Sequence, residues 1–245
     1  MPRLLPTAVL LLAGLVGAET GDRLHEQIDL LGRDFIVHEI PAPVLERPAE
    51  WINRRDGDYH YLYTAGDDHG RKEQVETHHD LPAQPGVWQR MIGESLVEWF
   101  EVQNGAGIRF FGETDRHHGF EVRLAPGVTI PPGIAPGAVW GSESAITAAR
   151  LDSPGRTAYE GRLQTTNRYV GAYRVKVPAG EFEAVLIEQQ LSFVIGALQA
   201  DDVRHLFYAR GAGVVAEVEG LRASALIVIR VKEKSAKVLT KIAAH

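Results

Sequence analysis

The chain has 245 residues, of which 44% are hydrophobic and 24% charged, with no cysteine and a formal net charge of −6. That is enough apolar material for a sizeable core without disulfide staples, and it excludes collagenous, low-complexity and disulfide-scaffold classes. The acidic balance also speaks against a nucleic-acid partner, because phosphate contacts need clustered Lys and Arg.

Residues 1–18 read as a secretory signal peptide. Arg3 supplies the positive start, residues 4–16 are almost unbroken apolar, and Val16-Gly17-Ala18 is a small-residue cleavage site. The apolar run falls short of the ~20 residues of a transmembrane span, and no later stretch is long and apolar enough to cross a bilayer. The expected location is therefore the periplasm or the exterior, with no lipobox cysteine for an anchor. Residues 19–57 read as an irregular N-terminal arm. A short helix fits within 23–31, and Pro41, Pro43 and Pro48 break up the rest of the arm.

From residue 58 to 233 the pattern is that of a curved antiparallel β domain. Tyr59, Tyr61 and Tyr63 share one face of a strand, and His60, Leu62 and Thr64 share the other. The turn at 66–70 leads into a second strand over 72–79, and further strands occupy 87–93, 95–102, 108–112 and 119–124. Asn104-Gly105 marks a tight hairpin. A proline-rich segment, residues 126–137, reads as an ordered crossover lying across the sheet, since Val128, Ile130 and Ile134 are interleaved with its prolines. Strands over 141–151, 156–166, 168–177, 182–193, 203–209, 214–219 and 223–232 complete a meander. The apolar run 223–231 reads as one strand that is central or has its outer face covered. Residues 234–245, with Lys234, Lys237 and Lys241, read as a solvated basic C-terminal tail. The expected fold is mainly β: a single antiparallel sheet curved into a half-barrel or open barrel.

Chemical motifs are scarce. Gly211-Ala212-Gly213-Val214-Val215-Ala216 has the letters of a dinucleotide fingerprint, but the glycines lead into a strand, where no helix N-terminus can receive a pyrophosphate. His25-Glu26 and His38-Glu39 lack the second histidine of a zinc-protease motif, and residues 141–145 do not form a nucleophile elbow. Glu98 and Glu101 point to opposite faces of their strand. Six histidines, His60, His69, His78, His79, His117 and His118, fall on hairpins between residues 60 and 118 with Asp67, Asp68, Asp80 and Asp115 nearby. Imidazole and carboxylate are zinc and copper ligands, yet adjacent histidines of a strand face opposite ways. The residues thus assign no catalytic, cofactor-binding or metal position. Tyr59, Tyr61, Tyr63, Trp99, Phe100, Phe110 and Phe111 can form a core or line a concave face.

Three segments carry a resemblance: Pro131-Pro132-Gly133-Ile134-Ala135-Pro136-Gly137-Ala138-Val139-Trp140, Val177-Pro178-Ala179-Gly180-Glu181-Phe182, and Tyr208-Ala209-Arg210-Gly211-Ala212-Gly213-Val214-Val215. They resemble, in order and spacing over roughly ninety residues, a domain-of-unknown-function family of exported bacterial proteins. Ala212 stands where that family usually has valine. The resemblance implies a curled antiparallel sheet similar to the half-barrels of periplasmic lipoprotein carriers, and it transfers no catalytic residue. The combined expectation is an exported, non-enzymatic envelope protein that binds an apolar small molecule, a lipid or an envelope protein in its concave face. The alternative is a hydrolase or metal-binding protein using the histidine-rich hairpins.

Overall fold

The computed structural model describes residues 26–52, 55–78, 86–104, 107–225 and 229–244. Residues 1–18, expected as a signal peptide, and His79 and Asp80 lie outside the described residues. Thirteen strands succeed one another: β1 (Ile36–Ile40), β2 (Gly57–Ala65), β3 (Lys72–His78), β4 (Val87–Ile92), β5 (Leu96–Gln103), β6 (Gly107–Asp115), β7 (Phe120–Ile130), β8 (Val139–Arg150), β9 (Thr157–Val177), β10 (Gly180–Ile195), β11 (Leu198–Ala209), β12 (Gly213–Ala225) and β13 (Ile229–Ala244). A 3-10 turn (Asp29–Leu31) precedes β1, and a one-turn helix α1 (Ala49–Ile52) separates β1 from β2.

The expected half-barrel is overturned. Every consecutive pair from β2 to β13 is antiparallel, β13 pairs with β2, and β8 pairs with β9, so twelve strands close into a barrel. Strand length makes closure possible. The two strands expected over 156–166 and 168–177 are a single 21-residue strand, β9. Its first half pairs with β8 and its second half with β1, from Val139↔Arg168 to Ile36↔Val175. Closure pairs the backbone groups that an open edge would leave bare.

Two further expectations are corrected. Residues 126–130 of the proline-rich segment are the end of β7, and the rest joins β7 to its neighbour β8, so it is a broad connection and not a crossover; Ile134 turns inward from it. Residues 234–244 are the second half of β13, paired with β2 through Lys237↔Tyr63 and Leu239↔Tyr61, and not a free tail. The apolar run 223–231 likewise straddles the ends of β12 and β13, with Ala223↔Val231 as a cross-strand pair.

Up-and-down topology sorts the connections into two ends. The β2–β3, β4–β5, β6–β7, β8–β9, β10–β11 and β12–β13 hairpins form one end. The remaining connections form the other, and the N-terminal arm seals it. Leu45 donates its N–H to the Ile134 carbonyl and accepts from Gly133, both at 2.8 Å, while Gly211 N–H donates to the Glu50 carbonyl at 2.9 Å. The Tyr169 hydroxyl donates to the Pro43 carbonyl at 3.0 Å. Leu45, Trp51, Ile52 and Ile134 pack there against Trp88 and Phe100 from one wall and Ile187, Leu206 and Val214 from the opposite wall. Residues of opposite walls can meet only through the interior.

The arm also covers part of the outer wall. Ile28, Leu31 and Phe35 pack on Leu186, Phe207, Val218 and Val238, and Phe35 meets Phe207 edge-on with ring centroids 4.9 Å apart. Each such side chain contributes roughly 2 kcal/mol when fully removed from water. Elsewhere the outward positions are mixed: Glu143, Arg162, Gln164 and Gln190 are exposed, as are Val139 and Val194. A membrane-spanning barrel needs a continuous apolar band there. No described helix is long and apolar enough to cross a membrane.

Candidate functional site: the barrel interior

Alternation along the strands builds the interior in layers. The sealed floor is apolar, formed by Trp88, Phe100, Ile108, Tyr169, Ile187 and Leu206, with Trp88 stacked on Phe100 at 4.3 Å. Two residues further along the same strands the inward side chains become charged. Arg90 on β4 pairs with Glu98 on β5, and Glu113 on β6 is the cross-strand partner of Glu98. From the facing wall, Arg204 Nε lies 2.6 Å from Asp202 Oδ2 and its Nη2 2.9 Å from Glu219 Oε1. Lys237 Nζ joins Glu73 at 2.8 Å and Glu217 at 3.3 Å. The Tyr63 and Tyr61 rings lie beside that ammonium, each centroid 5.5 Å away.

Crowding by protein sets the electrostatics of this layer. Burial pushes the Glu113 carboxyl up to about 7, and the neighbouring Glu98 adds to the shift. Burial also raises Glu219 to about 7; Arg204 opposes the rise, and Glu217 and Asp202 reinforce it. Glu217 goes the other way. Burial alone would raise it, but Lys237, Arg204 and Arg90 together hold it at about 2. Burial opposes the charge on Lys237 and Arg90 too, and their carboxylate partners override it, so both are held above their ordinary values. Arg90 interacts with Glu217 and Glu113 with Arg204. Those pairs span the barrel, which places all four groups in one interior compartment.

Nearer the hairpin end, one side of the interior is apolar again. Leu124, Ile146 and Leu163 are buried, and Val122, Leu191, Phe193 and Ile195 pack on them while remaining partly exposed. On the other side the mouth opens into a cavity of about 110 Å³ lined by Tyr63, Asp67, Asp68, Arg71, Glu219 and Glu233, among others. The buried polar atoms on the inward face that meet no N–H donor or hydroxyl among the described residues include Ser144 Oγ, Asn167 Nδ2 and Asp202 Oδ1. Their side chains belong to residues 1%, 1% and 2% exposed. Unpaired buried polar atoms cost free energy, and in native proteins they mark places where a water, an ion or a ligand binds.

A second concavity, of about 570 Å³, lies outside the barrel beside the arm, between Glu26 and Gln27 and the outward residues of β10 to β13. At its inner side His205 Nε2 lies 3.6 Å from Glu188 Oε2, and Arg168 Nη2 donates to Glu188 at 2.7 Å. His205, Gln190 and Arg168 together hold Glu188 at about 2 despite its burial.

The histidines of residues 60–118 are not brought together. His60 is an outward residue of β2 and His69 sits in the β2–β3 turn. His78 ends β3 at the sealed end, beside Glu76. His117 and His118 occupy the β6–β7 turn, where His118 Nδ1 meets Asp115 Oδ2 at 2.6 Å. Among the described residues no three His, Asp or Glu side chains converge as a metal site. Glu98 does face inward and Glu101 outward, where it pairs with Arg109. The Gly211–Gly213 turn has positive φ at both glycines, 73° and 67°, and leads straight into β12. Sequence reading missed the interior charges. Their signal was faint: Arg204, Leu206 and Tyr208 share a face, as do Glu217 and Glu219, and polar residues in such positions ordinarily mark the wet side of a sheet.

Comparison with known proteins adds little beyond this geometry. No family model matches the chain, and no curated protein does. Among solved structures, a Bacteroides fragilis protein described as exported and having a YmcC-like fold shares 10% identity, covering 79% of this chain and 98% of its own, at a TM-score of 0.42. A Parabacteroides distasonis protein described as a lipoprotein shares 9% identity, covering 79% and 97%, at a TM-score of 0.41. At these scores neither likeness bears on the activity, which has to be read from the interior of the barrel.

Proposed function

We propose that the protein is an exported, non-enzymatic binding module that takes a small molecule with an apolar body into its barrel from the hairpin end. The observation that carries this reading is the asymmetry of the interior. One end is sealed by Leu45, Trp51, Ile52 and Ile134, while Leu191, Phe193 and Ile195 near the other end are inward-facing apolar side chains left partly open. Small-molecule sites are concave, largely apolar and furnished with a few polar groups that fix orientation. The buried orphans Ser144 Oγ and Asn167 Nδ2 are such groups. No nucleophile with an adjacent base is assembled among the described residues of the compartment, and the ion pairs there engage each other. The test is calorimetric titration of the protein with n-octanol, together with Ala200→Trp. Ala200 is buried opposite Phe193, so a tryptophan there fills the approach. Saturable binding that the variant loses is expected; no heat at millimolar octanol, or unchanged binding by a folded Ala200→Trp protein, overturns the reading.

A further inference from the structure

We propose that the molecule accepted by the barrel carries a positively charged amine, directed at the carboxylates of Glu113, Asp202 and Glu219. The proposal rests on the interior-binding reading above and names the class of ligand. Charge is the first ground. The inward layer holds six carboxyl groups, Glu73, Glu98, Glu113, Asp202, Glu217 and Glu219, against Arg90, Arg204 and Lys237. All three cations are already engaged by carboxylates, and Glu113 has no hydrogen bond or ion pair among the described residues. The mouth cavity repeats the imbalance. Asp67, Asp68, Glu219 and Glu233 face Arg71 and Lys234, and Arg71 is tied to Asp68 at 2.7 Å.

The second ground is independent of charge count. Asp202 is 2% exposed, and its Oδ2 is occupied by Arg204; its Oδ1 meets no N–H or hydroxyl donor among the described residues, and the Glu219 carboxyl, which bonds to Asp202, can donate only when protonated. Ser144 Oγ, 1% exposed on the apolar side of the interior, is likewise unmatched. A buried acceptor without a donor is costly, and an ammonium offers three donors and no acceptor. Asn167 Nδ2 is the complementary case, a buried donor that suits an acceptor oxygen on the same molecule. Geometry agrees. The cavity of about 110 Å³ holds a head group or a few waters, and the partly open apolar side chains Leu191, Phe193 and Ile195 line another part of the interior. Glu113 and Glu219, both held at about 7 by burial, are the carboxyls that a nearby cation would relieve.

The test compares three probes that share one apolar chain: n-octylammonium, n-octanol and n-octanoate, titrated calorimetrically at pH 8 into the folded wild-type protein. Octylammonium is expected to bind about tenfold or more tightly than octanol, with octanoate weakest. In the double variant Glu113→Gln, Glu219→Gln the ratio of octylammonium to octanol affinity is expected to fall below about threefold. Equal or tighter binding of octanol, or tighter binding of octanoate, overturns the amine assignment and leaves interior binding standing. Binding of none of the three removes the interior reading itself. Should the double variant fail to fold, the wild-type ranking of the three probes decides the matter.

Discussion

Replacing Lys237 by Met tests the electrostatics of the interior directly. The ammonium sits between Glu73 and Glu217, at 2.8 and 3.3 Å, with side-chain exposures of 17%, 9% and 13% for the three residues. Methionine keeps most of the volume and removes the charge, leaving two carboxylates in a compartment where Lys237 is the principal reason that Glu217 ionises so readily. Breaking a buried pair by removing one partner costs about 3–5 kcal/mol, and the partial exposure places this case at about 3. The loss must depend on pH. Without Lys237 the folded-state value of Glu217 rises, so protonation at low pH relieves the stranded charge. Urea unfolding of both proteins should show a deficit of about 3 kcal/mol at pH 8, shrinking to about half at pH 5. A deficit below about 1 kcal/mol at pH 8, or one equal at the two pH values, would mean that these groups are hydrated as at a surface and that the closed compartment is wrongly described.

Other outcomes stem from the same structure. Glu113 and Glu219 have folded-state values raised to about 7 from 4.5. Their stabilising effect is therefore full below about pH 4.5 and is lost as pH rises through about 7, by about 1 kcal/mol each after allowance for screening. Wild-type urea midpoints should fall between pH 5 and pH 8, and the double glutamine variant should flatten the slope; a wild-type midpoint that rises contradicts the assignment. Glu188 behaves oppositely. It is held at about 2, so the stability it supplies is present above about 4.5 and lost as pH falls towards 2, and His205→Leu should shrink that acid-side loss in acid titrations. Phe35→Ala, which removes a residue 3% exposed that packs on Phe207, should cost about 3–5 kcal/mol in thermal or urea unfolding; a cost under 1 would show that the arm is not docked on the outer wall. Gly66→Ala should destabilise by more than about 1–3 kcal/mol, because Gly66 has φ +89° and an added Cβ would lie 2.0 Å from the Lys234 carbonyl oxygen.

The sequence by itself determined the class of structure and much of its local grammar. Alternation placed Tyr59, Tyr61 and Tyr63 on one face, and all three are inward and buried. The glycine turns, the sidedness of Glu98 and Glu101, and the strand that comes after Gly213 were legible for the same reason: side-chain period and turn stereochemistry are properties of a few neighbouring residues. Closure was decided elsewhere. Whether β9 offers its free edge to β8, and whether residues 234–244 pair with β2 or remain a tail, is settled by tertiary pairing, in the second case with partners more than a hundred residues away, and no local pattern encodes it. The interior was hidden by an ambiguity of the period itself. In β12, Ala216 and Val218 face outward because the arm covers them, and Glu217 and Glu219 face inward because Arg204 and Lys237 meet them there. Alternation shows that two faces differ; only the tertiary structure shows which of them is enclosed. The charged compartment exists because the closed ring brings carboxylates and cations from opposite walls within reach of one another.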